Sequence, residues 1–154
     1  MTKTKIKTLT LLAIITALTL VLGKVFQFSM ALGFFTLLDV GIYFAAFYLG
    51  KKEGATVGAL AGFLIDLLSG YPQYMLVSLV AHGAQGYLAG WTGKKRLLGL
   101  ILSVLVMVAT YFIAETVMTN VGTALTTVVG NSLQSLVGMA LGYALVQLMK
   151  RVGN

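Results

Sequence analysis

All but one of the 11 Lys and Arg residues fall into four clusters: Lys3/Lys5/Lys7, Lys51/Lys52, Lys94/Lys95/Arg96 and Lys150/Arg151. Between them lie stretches of roughly forty residues almost free of basic charge. At about 20 apolar residues per crossing, each stretch can traverse a bilayer twice. Short loops rich in Lys and Arg stay on the cytoplasmic side. The spacing therefore predicts six membrane-spanning helices with both termini in the cytoplasm.

Composition agrees with that frame. Of the 154 residues, 58% are hydrophobic and 10% charged, whereas a soluble domain carries about 25% charged residues. The net charge of +7 could suggest nucleic acid, but the basic residues gather at loop ends and form no stripe along a helix face. Nucleic acid is therefore not expected as a partner; membrane lipid is. With no cysteine, the chain has no disulfide and no thiolate metal site. The first apolar run follows three lysines, as a signal peptide would. It has the length of a full span and is followed by five more apolar segments, so it reads as a permanent helix.

The spans are expected at about 9–27, 35–50, 54–70, 73–92, 97–118 and 127–149, forming one membrane-embedded domain over 1–154. Gly50-Lys51-Lys52-Glu53-Gly54 makes a tight basic turn, and Tyr71-Pro72-Gln73 a short external one. Gln27–Phe35, polar and broken by glycine, is expected as an external loop. Small residues recur at i and i+4 as Ala13/Ala17, Gly54/Gly58/Gly62, Gly86/Gly90 and Gly138/Gly142. Such strips let helices approach closely, and packing within the bundle is their simplest use.

Polar residues are the exceptional ones in such a chain. Asp39 opens the second span and Asp66 closes the third; an intramembrane carboxylate needs a partner, and Lys24 is the external cation expected to supply it. His82 and Gln85 form an i, i+3 pair, with His82 about 14 Å below the outer end of the fourth span. Asn131/Gln134 repeat that spacing on the sixth, and Tyr111/Glu115 stand at i, i+4 on the fifth. A lone pair of this kind often only bonds a neighbouring helix. Three pairs at similar depth predict an outward-open cavity for a small molecule, lined by donors and acceptors.

Catalytic readings find little support. No G-x-x-x-x-G-K-[ST] loop is present, because Gly93-Lys94 continues into Lys95 and lacks the earlier glycine. One histidine without cysteine offers no zinc site, and Ser69, Ser78 and Ser132 lack a nucleophile elbow. The chain is not expected to be an enzyme or to carry a cofactor.

Leu38-Asp39-Val40, the Gly54–Gly70 stretch running into Tyr71-Pro72, and Val129-Gly130-Asn131-Ser132-Leu133-Gln134 together resemble the substrate-binding (S) components of energy-coupling factor (ECF) transporters, which import vitamins into bacteria. Ala13-x-x-x-Ala17 resembles the motif by which these proteins dock on a transmembrane coupling subunit. The resemblance implies that the first external loop is a lid over a pocket built from helices four to six. It also implies partnership with that coupling subunit and two ATPase subunits in the bacterial cell membrane. His82, Gln85, Tyr111, Glu115, Asn131, Gln134 and Tyr74 are the expected substrate contacts. Hydroxymethylpyrimidine or vitamin B6 matches that lining, with pantothenate as the alternative. Two rival functions stay open: a small channel or proton-coupled carrier relaying through Asp66, His82 and Glu115, and an assembly subunit using the glycine strips as interfaces.

Overall fold

A computed structural model describes residues 3–30 and 33–153. Six helices form the body: α1 (Lys3–Val25), α2 (Leu38–Tyr48), α3 (Lys51–Ser69), α4 (Met75–Ala89), α5 (Arg96–Met118) and α6 (Val121–Val152). Three stretches, Lys5–Val25, Gly93–Met118 and Val121–Val152, are long and apolar enough to cross a bilayer. At 1.5 Å per residue, α2 rises only about 17 Å. It is an internal element, packed on α1, α3, α4 and α6, and need not meet lipid along a full span.

The helix ends follow local chemistry. α1 begins six residues before the expected boundary because Lys3, Lys5 and Lys7 continue the helix, lysine being a good helix former. α6 also starts six residues early, at Val121, because the Asn120 side chain caps it by accepting from the Thr123 N–H at 3.0 Å. α3 ends at Gly70, whose φ of 81° is a left-handed conformation that favours glycine; the Tyr71 N–H then bonds back to the Asp66 carbonyl at 2.9 Å. Pro72–Tyr74 is a single 3-10 turn, so Tyr74 precedes α4.

The expected loop at Gln27–Phe35 contains a small antiparallel hairpin, β1 (Phe28–Met30) paired with β2 (Gly33–Phe35), with Phe28 opposite Phe35. The hairpin is confined to that loop and leaves the all-α, six-helix architecture intact; α2 starts at Leu38 rather than at 35.

The exterior is apolar and the interior partly polar. Val117 is 81% exposed and Leu97 70%, while Asp39, Gln85, Ser78 and Ser135 are fully buried. Water would favour the reverse, so the distribution fits a hydrocarbon solvent. The glycine strips on α3, α4 and α6 lie at helix crossings. α3 meets α4 along the most extensive contact in the molecule. A Cβ at Gly58 would overlap the His82 carbonyl, and one at Gly62 would lie 2.6 Å from the Ser78 carbonyl. Ala13 and Ala17 differ: both are exposed on α1.

Candidate substrate-binding site

A cavity of about 400 Å3 opens at the end of the bundle opposite the basic turns. It lies between the C-terminal halves of α3 and α5, the start of α4, the N-terminal half of α6 and the segment leading into α2. His82, Tyr111, Glu115, Asn131, Gln134 and Tyr74 line it, together with Asp66, Thr36 and Thr126; Leu38, Ile65 and Met107 supply apolar surface.

One hydrogen-bonded chain runs through its wall. Asp66 accepts from Ser78 Oγ, which lies 2.5 Å from the Tyr111 hydroxyl. That hydroxyl is 3.3 Å from His82 Nε2. On the other side of the ring, His82 Nδ1 lies 2.9 Å from Gln85 Oε1 and 3.6 Å from Asp39 Oδ1. Gln85 Nε2 donates to Asp39 Oδ2 at 2.7 Å and to Ser135 Oγ at 3.0 Å. Gln85 Oε1 can therefore only accept, and the proton between these side chains belongs on His82 Nδ1. Asp39 also accepts from Gln134 Nε2 at 3.1 Å and from Ser135 Oγ at 3.1 Å. Gln134 Oε1 in turn accepts from the Thr36 N–H at 2.9 Å, one residue after the hairpin.

Ser78 and Tyr111 carry one hydroxyl proton each, so the Asp66–Ser78–Tyr111–His82 contacts are not independent: the donor at one step fixes the donor at the next.

Near the mouth, Tyr74 donates to Glu115 Oε2 at 2.5 Å, and Thr119 Oγ1 donates to Glu115 Oε1 at 3.2 Å. Burial and the Glu115 carboxylate push the Tyr74 hydroxyl up to about 12, so it remains a donor at neutral pH. Asn131, on the same wall, has no side-chain hydrogen bond among the described residues and keeps its full amide capacity for a ligand.

Two expectations need correction. Lys24 pairs with neither Asp39 nor Asp66; its ammonium donates to Ser69 Oγ at 3.0 Å and to Gln27 Oε1 at 3.4 Å. Asp39 is too deeply buried to be reached from outside, and Asp66 turns towards Ser78 on α4. Gln85 is not part of the lining: it stands behind His82, its amide taken up by His82, Asp39 and Ser135.

Sequence reasoning also missed several lining residues. Asp66 is a second cavity carboxylate beside Glu115; its i, i+3 spacing with Ser69, which also lines the cavity, was the available sign. Thr123, Thr126 and Thr127 line the first turns of α6. Their spacing continues the Asn131/Gln134 face, but residues before 127 lay outside the expected span.

A model of the ECF-type riboflavin transporter S component matches residues 3–151. Over 151 residues the chain is 49% identical to the thiamine precursor transporter HmpT of Lactococcus lactis subsp. cremoris (strain MG1363), covering 96% of this chain and 90% of that one. It is 29% identical over 125 residues to an uncharacterized Pyrococcus woesei protein, covering 77% of this chain and 84% of that one. A solved S component of a bacterial ECF transporter shares the fold, with a TM-score of 0.71 at 20% identity over 97% of both chains.

Proposed function

This chain belongs to the S-component family of ECF-type transporters, and on that footing we propose that it captures hydroxymethylpyrimidine, a thiamine precursor, for an ATP-driven importer. The observation that carries the substrate class is the cavity lining. Asp66 and Glu115 contribute two carboxylates, Gln27, Asn131 and Gln134 three amides, and no Lys or Arg is present among the described lining residues. Such a site favours a small ring bearing an amine and a hydroxyl, whose donors meet the carboxylates and whose ring nitrogens meet amide donors. Pantothenate would bring its own carboxylate against Asp66 and Glu115, which opposes it. The likeness to a thiamine precursor transporter supports the same choice, although the matching family model carries the name of riboflavin.

In this reading the β1–β2 hairpin closes over the cavity, and Gln134 carries the state of the wall to its base through Thr36. His82, Tyr111, Glu115, Asn131, Gln134 and Tyr74 touch the substrate, and Gln85 holds His82 in place. Transport needs a transmembrane coupling subunit and two ATPase subunits, which hydrolyse ATP; α1 meets the coupling subunit through Ala13 and Ala17. The protein sits in the bacterial cell membrane with the basic turns inside. Cysteines placed at Gln73 or Gly122 label from outside intact cells and at Lys52 or Lys95 do not; the reverse pattern would invert the orientation.

Calorimetric titration of the solitary purified protein with hydroxymethylpyrimidine, pyridoxine, riboflavin and pantothenate tests the substrate. Hydroxymethylpyrimidine should bind tightest and pantothenate not at all. Tighter binding of riboflavin or pantothenate, or no binding of any of the four, overturns the reading.

A further inference from the structure

At the opposite end of the bundle a second cavity, of about 590 Å3, opens between α2, α5 and α6. Its composition is graded along the helices. Arg96, at the start of α5, and Lys150, in the last turn of α6, stand at its polar end. Leu100, one turn into α5, and Ala140 and Tyr143 on α6 continue it as apolar wall. Ala140 lies about 15 Å from Lys150 along the helix at 1.5 Å per residue. Phe47 closes the inner side, with the Arg96 guanidinium 5.5 Å from its ring centre and Tyr143 packed edge-on at 6.3 Å.

The two cations have no acidic counterpart. Among the described residues neither Arg96 nor Lys150 lies within ion-pair distance of a carboxylate. Arg96 is turned to a ring face, and Lys150 is exposed. A groove with two uncompensated cations at one end and an apolar run leading into the bilayer matches a molecule with a single anionic head and a hydrocarbon tail. Basic pockets between helix ends at the membrane surface hold such headgroups.

We infer that this groove is a site for an anionic phospholipid. Its phosphate sits between Arg96 and Lys150, and an acyl chain lies along Leu100, Ala140 and Tyr143. A free phosphate would satisfy the cations and leave the apolar run empty. A protein partner would have to bring both an acid and an apolar ridge. The inference rests on the membrane setting alone and does not depend on which vitamin is bound.

Native mass spectrometry of the delipidated protein, supplied with dioleoylphosphatidylglycerol or dioleoylphosphatidylcholine, tests it. Phosphatidylglycerol should be retained at least about fivefold better, and Arg96→Gln and Lys150→Gln should each lower its retention about fivefold. Ala140→Phe, which fills the groove and leaves both cations, should lower it as well. Lys52→Gln, in a basic turn away from the groove, should change nothing. Monodisperse elution and unaltered vitamin titration establish that each variant is folded. Equal retention of the two lipids, or retention unchanged in the Arg96/Lys150 double variant, overturns the site. Displacement of the lipid by glycerol phosphate at equal concentration also overturns it, because the anion alone would then account for binding. So does loss of coupling-subunit association in the double variant with lipid retention unchanged, which would make the groove a protein interface.

Discussion

Gln134 donates from Nε2 to Asp39 Oδ1 at 3.1 Å while its Oε1 accepts from the Thr36 N–H at 2.9 Å. One amide on α6 therefore joins the buried carboxylate of α2 to the backbone at the base of the hairpin. A ligand that competes for the Gln134 amide acts on both contacts at once. The cavity wall and the segment proposed as its cover are in this way mechanically connected.

Asp39 holds the donors of Gln85, Gln134 and Ser135 in a fully buried site. Asp39→Ala removes every acceptor and leaves three donors unsatisfied, at about 1–3 kcal/mol for a buried group. The melting temperature of the solitary protein in detergent should fall by at least about 5 °C. An unchanged melting curve would mean that these donors find other acceptors.

Asn131 should separate binding from stability. Its amide has no protein partner among the described residues, so Asn131→Ala should weaken hydroxymethylpyrimidine binding roughly ten- to a hundredfold and leave the melting temperature in place. Gln85→Ala should lower both, because that amide is engaged inside the wall. Calorimetry and thermal unfolding on the two variants make the comparison. Full affinity in the Asn131 variant would remove it from the site.

Gly58 lies against the backbone of His82, with no room for a methyl group. Gly58→Ala should push α4 away from α3 at about 1–3 kcal/mol, the usual overpacking cost, and displace His82 from Tyr111. Affinity and melting temperature should therefore fall together. Retention of both would show that the crossing can widen without moving the ring.

Ala17 faces outward from α1 and touches none of the cavity. Ala17→Trp should abolish uptake in cells by keeping the coupling subunit from close approach, with ligand binding by the solitary protein intact. Ala13→Trp should behave the same way. Wild-type uptake in either variant would place the docking face elsewhere.

The order of the helices and the end at which the cavity opens were legible in the sequence. Apolar runs and basic clusters are one-dimensional signals, and each helix can be placed by its own composition. The polar pairs on α4, α5 and α6 were legible as well, since i, i+3 and i, i+4 spacing puts side chains on one face whatever surrounds the helix. The hairpin was not, because three-residue strands carry almost no periodic signal.

Partner choice belonged to the tertiary structure. Charge alone suggested Lys24 for Asp39 or Asp66, yet Asp39 is held by Gln85, Gln134 and Ser135, and Asp66 by Ser78. The two i, i+3 pairs that looked alike also diverged: Asn131 and Gln134 both line the cavity, whereas His82 faces it and Gln85 stands behind. In helices that are apolar on every side, depth and rotation relative to the neighbours decide which polar groups meet. Close contacts set both, such as Gly58 against His82 and Gly138 against Asp39, and no local pattern in the chain encodes them.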